Sequence, residues 1–234
     1  MTMTRRILPG TPPVEITLRR TARARRYSLR VSRLDGQVTL SLPLRAPEAE
    51  AMAFARDKAD WIRAALCNMP AKQVVGSGAP VPVEGRMLTL RLAGVRAPEV
   101  AEGALLVPDR AGHAARRAEA FLKVMARDRL VAACDGHAAR LGRGYRSLTL
   151  RDTRSRWGSC SAAGGLMFSW RLILAPPEIL DYVAAHEVAH LAEMNHSPAF
   201  WRVVAGLCPD YARHRAWLRK HGQTLHAYDF SGRD

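Results

Sequence analysis

The segment His186–His196 reads HEVAHLAEMNH and places three imidazoles and two carboxylates among mostly apolar residues. Residues four apart in an α-helix lie about 40° apart on one face, so His186 and His190 can reach a single ion. Glu187 lies about 100° around the helix from His186, which suits a carboxylate held beside a metal rather than bound to it. The spacing predicts a metal-binding helix in which Glu187 is the general base.

The third imidazole, His196, cannot share the face of His190 if the helix continues. We therefore expect the helix to stop and the chain to fold back before His196. Asn195 tolerates the left-handed conformation that ends many helices, and Ser197-Pro198 provides an N-cap and a first-turn proline. Three imidazole ligands with one open position are typical of catalytic zinc, so we expect one Zn²⁺ per chain. Other divalent metals can bind the same ligands, and the alternative is three hydrogen-bonded core histidines.

Two further polar residues flank the predicted ligands. Tyr182 lies one turn before His186 on the same face, where its hydroxyl can stabilise an oxyanion as a catalytic group or can stand at the rim without a chemical role. Glu193 follows His190 by three residues and can accept the second ring proton of a ligand imidazole. Its alternative is a solvated charge at the end of a helix.

The N-terminal part of the chain alternates apolar and polar residues as strands do. Asp35-Gly36 is a hairpin signal between two of these strands. The pattern predicts a small antiparallel sheet with one helix packed on it, followed by a loop and short strands. The predicted strands are 14–18, 27–31 and 38–42, the helix is 47–68, the loop is 74–82, and the later strands are 87–92 and 104–107.

The C-terminal part begins with an Ala-, Leu- and Arg-rich stretch, 114–141, that predicts a long helix or two abutting helices. A strand at 147–151, a loop with several glycines and a returning strand at 166–172 predict a β-hairpin. Pro176-Pro177 then opens the helix that carries the histidines. The fold class is therefore α+β, with a basic strand-rich region at 1–110 and a second domain at 111–234.

The chain of 234 residues carries a net charge of +15, with 32 Arg and four Lys. Nine arginines lie between Arg5 and Arg33 against one acid, Glu15. A basic field attracts polyanions, so this region predicts either a nucleotide or nucleic-acid partner or simply a solvated basic face. The dominance of arginine over lysine favours a compositional bias as part of the cause.

The apolar runs are much shorter than the ~20 residues that span a bilayer, and the N-terminus has no apolar segment typical of a secretory signal. The four cysteines are widely separated. These features predict a cytoplasmic protein with reduced thiols and no membrane partner.

Four motifs together resemble the YgjP-like family of predicted metal-dependent hydrolases, which is similar to the SprT and WLM zinc metallopeptidases. They are Arg154-x-Arg156-Trp157-Gly158-Ser159-Cys160-Ser161, Trp170-Arg171-Leu172-Ile173, Asp181-Tyr182-Val183-x-x-His186-Glu187-x-x-His190-Leu191 and Asn195-His196-Ser197-x-x-Phe200-Trp201. The resemblance implies a zincin-like C-terminal domain with a β-hairpin and an HExxH helix. In that domain His186, His190 and His196 are the ligands and Glu187 is the acid/base.

The resemblance also implies that Arg154, Arg156 and Trp157 face the cleft and bind substrate, although scaffolding of the hairpin is an equal alternative. Ser169 departs from the family pattern, which commonly has Asn there. Glu193 stands where the metzincin peptidases require Gly, so the chain is not placed among them.

The leading hypothesis for function is hydrolysis of peptide bonds in a peptide or protein substrate by metal-activated water. One alternative is a metal-dependent nucleoside triphosphate pyrophosphohydrolase, with the arginines binding phosphate. Another is a nucleic-acid-associated binding protein with a zinc domain.

Overall fold

The computed structural model describes residues 3–32, 35–109 and 112–232, and their mixture of helices and small sheets confirms the α+β class. The chain forms two compact units that divide between residues 71 and 72. The sequence predicted the division near residue 110, which lies at the undescribed residues 110 and 111. The observed boundary differs from the predicted one because strands between residues 73 and 108 share a hydrophobic core with the C-terminal helices.

The first unit is a four-stranded sheet with two helices packed on it. Its elements are β1 (Met3–Leu8), β2 (Val14–Arg20), β3 (Ser28–Val31), β4 (Val38–Leu42), α1 (Glu48–Asp57) and α2 (Ala59–Cys67). One face of the strands is apolar and packs against Ala51, Ala55 and Ile62. The two helices replace the single helix predicted over 47–68, because the chain leaves helical geometry at Lys58.

The sheet of the first unit has the strand order β1-β2-β4-β3. The outer pairs are antiparallel, as predicted for β3 and β4, but the central strands β2 and β4 run parallel. The prediction of a wholly antiparallel sheet was wrong at this pair. Alternation of side chains shows which face of a strand is buried but not the direction of its neighbour.

The first half of the second unit consists of short strands and one long helix. Its elements are β5 (Gln73–Val74), β6 (Pro80–Val83), β7 (Arg86–Ala93), β8 (Glu99–Ala101), β9 (Ala104–Pro108) and α3 (Ala114–Leu141). Four of the strands form a mixed sheet with the order β6-β7-β9-β8. Helix α3 has the predicted bounds. The predicted loop at 74–82 contains the start of β6, and β8 was not predicted.

The remainder of the second unit holds the histidine helix. Its elements are β10 (Ser147–Arg151), β11 (Gly158–Cys160), β12 (Gly165–Ser169), a 3-10 helix (Trp170–Leu174), α4 (Pro177–Ala189), α5 (Pro198–Leu207), α6 (Tyr211–His221), a 3-10 helix (Gly222–His226) and β13 (Tyr228–Asp229). Strand β13 pairs with β5. Strand β12 pairs antiparallel with β11 and parallel with β10. The hairpin is therefore formed by β11 and β12, whereas the sequence predicted its first strand at 147–151.

Helix α3 packs against α4, and several of the residues that it buries are small. Ala115, Ala118 and Ala126 are fully buried and allow the neighbouring elements to approach closely. The two helices are also joined by a hydrogen bond of 2.8 Å between His137 Nε2 and Asp181 Oδ1. His137 is 1% exposed, whereas the Asp181 side chain is 48% exposed, so this bond links α4 to α3 at the edge of the core. Within the described ranges, no helix is long and apolar enough to cross a membrane.

Candidate metal centre

The three imidazoles predicted from the sequence converge at the C-terminal end of α4. The helix ends at Ala189, so His190 is its C-cap and the chain turns back before His196. The Nε2 atoms of His196 and His186 are 3.1 Å apart. One ring nitrogen from each of the three histidines lies within 4.8 Å of the others. The predicted chain reversal is therefore present.

The reversal is held by side-chain caps rather than by a left-handed residue. Asn195 is absent from the described non-glycine residues that have positive φ, so the predicted left-handed conformation is wrong. Instead its Oδ1 accepts a hydrogen bond of 3.2 Å from the Ser197 backbone N–H. The Ser197 hydroxyl then accepts one from the Phe200 N–H at 3.3 Å, and Pro198 occupies the first turn of α5. This N-cap agrees with the prediction.

Aromatic side chains of α5 pack directly on the imidazoles. Phe200 is fully buried, and its ring stacks on His190 with the ring centroids 4.4 Å apart. The ring of Trp201 stacks on His196 at 5.9 Å. The same helix that follows the reversal therefore restricts the orientation of two of the three imidazoles.

Burial favours the neutral form of two of the imidazoles, His186 and His190. It lowers the pKa of His186 to about 3, with further lowering by His190 and His196. Burial also lowers the pKa of His190, although a hydrogen bond from its Nδ1 to the backbone carbonyl of Glu193, at 2.9 Å, opposes this. The predicted partner was the Glu193 carboxylate, whereas the observed acceptor is its backbone oxygen. The Nε2 atom of His190 is left with a free lone pair.

The donor set fits a divalent transition metal. Neutral imidazole nitrogens are the form that binds zinc. Zn–N bonds of about 2.0–2.1 Å place two ligands of a tetrahedral ion about 3.3 Å apart, close to the 3.1 Å between His186 and His196. At this distance the two Nε2 atoms could instead share a proton. If a cation is bound, both lone pairs point at it and no proton lies between them. The three residues could therefore hold one ion.

Glu187 is buried beside this cluster. It is 5% exposed, and burial raises its pKa to about 7, an effect that the positive charge of Arg156 opposes. Its side chain lies against Gly158 of β11. A Cβ atom at Gly158 would come within 2.6 Å of both Cγ and Oε1 of Glu187. The missing side chain at Gly158 therefore makes room for the carboxylate.

The role of Gly158 was not predicted from the sequence. Its position between Trp157 and Ser159, within one of the quoted motifs, is the signal that could have indicated a close approach. Its φ is not in the left-handed range, so space rather than backbone conformation requires glycine there.

Tyr182 packs beside the cluster rather than at a rim. It is 5% exposed, its ring centroid lies 6.0 Å from that of His186, and burial raises its pKa to about 12. The rim alternative is therefore wrong for Tyr182. The hydroxyl remains protonated at neutral pH and can serve as a donor.

The three predicted substrate-binding residues in the loop before β11 have different surroundings. Arg156 is exposed and acts electrostatically on Glu187. Arg154 is exposed and contributes, after burial and Arg171, to the lowered pKa of His226. The ring of Trp157 packs on His226 at 4.9 Å, which favours the scaffolding alternative for this residue.

Cys160 on β11 and Ser169 on β12 belong to the hairpin that contacts Glu187. The Cys160 thiol is half-buried, and burial followed by the charge of Glu187 raises its pKa, so it is not poised as a thiolate. Ser169 is fully buried, and its hydroxyl makes no hydrogen bond within the described part of the chain. A longer Asn side chain at this position would have further reach.

An open cavity of ≈ 490 Å³ adjoins the cluster. His190, Leu191 and Met194 form one part of its lining, and Arg143 with the turn at Ser161–Gly164 forms another. Strand β11, which carries Gly158, is an edge strand of its three-stranded sheet. The imidazole cluster thus borders a cavity, and the neighbouring Glu187 contacts the edge strand β11.

Comparison with known proteins agrees with this geometry. A family model described as "YgjP-like, metallopeptidase domain" matches residues 25–221. A solved structure, the metallopeptidase zymogen abylysin of Pyrococcus abyssi, is 21% identical, with 39% of this chain and 93% of that chain covered. Its TM-score is 0.35, and a likeness this low supports no conclusion about function. No curated protein matches the chain.

Proposed function

The chain belongs to the YgjP-like family, and from this premise we propose that it is a zinc-dependent peptidase with Glu187 as its general base. Membership supports a metal-dependent hydrolase, and the peptide substrate and the zinc ion are the proposed parts. The observation that carries the proposal is the convergence of three imidazoles beside a buried carboxylate.

His186, His190 and His196 would hold the metal. When bound, the metal supplies Lewis acidity, which acidifies water and polarises a carbonyl group. Glu187 takes the proton of the attacking water and later gives it to the leaving amine. A base with a pKa of about 7 can both accept and release a proton near neutral pH. Burial beneath β11 keeps the carboxylate from being solvated and holds its position.

Tyr182 and Phe200 position the imidazoles in this proposal. Tyr182 meets the edge of His186, and Phe200 stacks on His190. Both side chains are buried, so their packing holds the imidazole rings in place.

The shape of the site suits an extended peptide. Among the described residues β11 is an edge strand of its sheet, and an extended peptide can add to such an edge through main-chain hydrogen bonds. The cavity beside His190 can then receive one substrate side chain, with Met194 and Leu191 as apolar contacts and Arg143 as a polar one.

Replacement of Glu187 tests the mechanism. Glu187→Gln should retain the metal and lose turnover by about 10²- to 10⁴-fold, whereas His186→Ala should lose both. Metal content is measured with activity on a casein-type and fluorogenic peptide panel. Equal metal content with unchanged activity in Glu187→Gln would remove this mechanism.

A nucleoside triphosphate pyrophosphohydrolase is the second candidate. Arg154 and Arg156 are exposed, and neither makes an ion pair with a carboxylate of the described residues. Guanidinium groups bind phosphate through paired hydrogen bonds. Nucleotides assayed beside the peptides decide between the two: turnover of nucleotides alone, with a raised KM in Arg156→Ala, would replace the peptidase proposal.

A further inference from the structure

Positive charge is concentrated on the sheet of the first unit. The first 71 residues carry thirteen Lys and Arg against six Asp and Glu. Four of those acids lie on α1 and α2, where Glu48 pairs with Arg6 and Glu50 accepts a hydrogen bond from Tyr27. The strands and their connections, residues 1–47, hold ten arginines against two acids. The two helices therefore neutralise little of the charge on the strands.

The sheet has one apolar face and one polar face. Leu8, Ile16 and Leu40 belong to the face that packs against the helices. On the opposite face, one row of paired residues crosses all four strands. It runs from Arg5 on β1 through Thr17 on β2 and Thr39 on β4 to Arg30 on β3. Three inter-strand spacings of about 4.8 Å make this row about 14 Å wide.

A second row adds another guanidinium group. Arg19 pairs with Ser41, which pairs with Ser28, and Arg19 Nη2 donates a hydrogen bond of 3.1 Å to the Ser41 hydroxyl. Arg19 and Arg30 are exposed. Guanidinium and hydroxyl groups thus occur together on the polar face.

The connection from β2 to β3 adjoins the row that holds Arg19. It carries Arg23, Arg25 and Arg26, all of them exposed. Among the described residues, none of these three forms an ion pair with a carboxylate. The one ion pair on the polar face joins Arg5 to Glu15 at 3.5 Å with both side chains more than half exposed, and such a pair contributes little.

We propose that these six arginines form a surface that binds the phosphate backbone of nucleic acid without sequence preference. We call it the arginine face: Arg5, Arg19, Arg23, Arg25, Arg26 and Arg30. Guanidinium and hydroxyl groups are the donors that contact phosphate oxygens in such complexes. This interaction surface lies outside the candidate metal centre, so it stands or falls independently of the proposed peptidase activity.

The side chains on this face explain why recognition would be of the backbone. Tyr27, the aromatic residue of the β2–β3 connection, stacks on Phe54 of α1 and donates its hydroxyl hydrogen to Glu50. It is therefore turned toward the helices and is not a platform on which bases stack. The exposed apolar residues Met3 and Ile7 lie on the edge strand β1, which is too little apolar surface for insertion into a membrane.

Salt-dependent binding of the full chain to oligonucleotides tests the proposal. Fluorescence anisotropy with labelled single-stranded and duplex DNA of mixed sequence is measured over a KCl series. We expect the logarithm of the association constant to fall linearly with the logarithm of salt concentration, by about 0.7 to 0.9 per phosphate contact. Binding should be similar for unrelated sequences.

A matched pair of triple variants separates this surface from the net charge. Arg19→Gln/Arg25→Gln/Arg30→Gln should reduce the salt slope by about 3 and weaken binding at least about 10-fold. The control, Arg91→Gln/Arg116→Gln/Arg219→Gln, removes the same charge from exposed positions of the second unit. It should bind like the wild type.

Three outcomes would overturn the proposal. They are no binding at low salt, equal loss in both triple variants, and binding to vesicles containing phosphatidylserine but not to oligonucleotides. Circular dichroism of both variants confirms that the substituted, solvent-exposed positions leave the fold intact.

Discussion

Replacing Gly158 with alanine is expected to displace the catalytic carboxylate proposed here without removing the metal. The added Cβ would lie 2.6 Å from Cγ and Oε1 of Glu187 and 2.8 Å from Cδ. Ordinary contact between such atoms is about 3.5 to 4.0 Å, so the carboxylate must retreat by about 1 Å. A misplacement of about 1 Å at a reacting group can cost about 10²-fold in rate. We therefore expect Gly158→Ala to lower kcat about 100-fold.

Three measurements distinguish displacement of Glu187 from general damage. Metal content should equal that of the wild type, because the three atoms nearest to the added Cβ all belong to Glu187 and none to a proposed ligand. Gly136→Ala is the control, since Gly136 lies exposed in α3 and a Cβ there meets no atom within 4 Å. It should keep full activity and be more stable by about 0.5 to 1 kcal/mol.

The decisive readout is a double-mutant cycle in thermal stability. Gly158→Ala should lower Tm when Glu187 is present and have little effect in a Glu187→Ala background, where the obstructing side chain is gone. Full activity in Gly158→Ala, or an equal loss of Tm in both backgrounds, would refute the reasoning.

Three further predictions concern buried polar groups of the second unit. In metal-free protein, the raised pKa of Glu187, from 4.5 to about 7, costs stability as pH rises through that window. The advantage of Glu187→Gln over wild type in urea unfolding should therefore grow from pH 4.5 to 7 and then level off, and a constant difference would contradict this. Ser169→Ala should leave the free energy of unfolding within about 1 kcal/mol of wild type, because the lost hydroxyl has no partner among the described residues; a loss above about 2 kcal/mol would argue for an important contact. His137→Ala should cost about 2 to 4 kcal/mol by urea denaturation, since it opens a cavity and breaks the bond to Asp181; a change under about 0.5 kcal/mol would show that α4 is held without it.

The histidine cluster could be predicted because its geometry is local. Helical periodicity brings His186 and His190 together, and the Ser197-Pro198 signal fixes where the next helix begins. The details that failed depended on conformations the chain adopts only in its folded context. Asn195 caps through its side chain, and Glu193 contributes its carbonyl.

The longer-range features could not be read from single segments. The parallel pairing of β2 with β4, and of β10 with β12, depends on connections whose path is set by tertiary packing. The contact of Gly158 with Glu187 joins residues far apart in sequence. The early division after residue 71 likewise reflects which strands share a core with α3 and α4.

The reversal between α4 and α5 has a consequence for durability. Two imidazoles sit at the end of one helix, and the third sits on the short link before the next. A cation bound by all three histidines would cross-link the two ends of that link. A ligand present at 100 times its Kd raises the free energy of unfolding by about 2.7 kcal/mol. Removal of the cation by a chelator would remove this cross-link. Amide protons between residues 190 and 197 would then exchange with solvent sooner than those of α3.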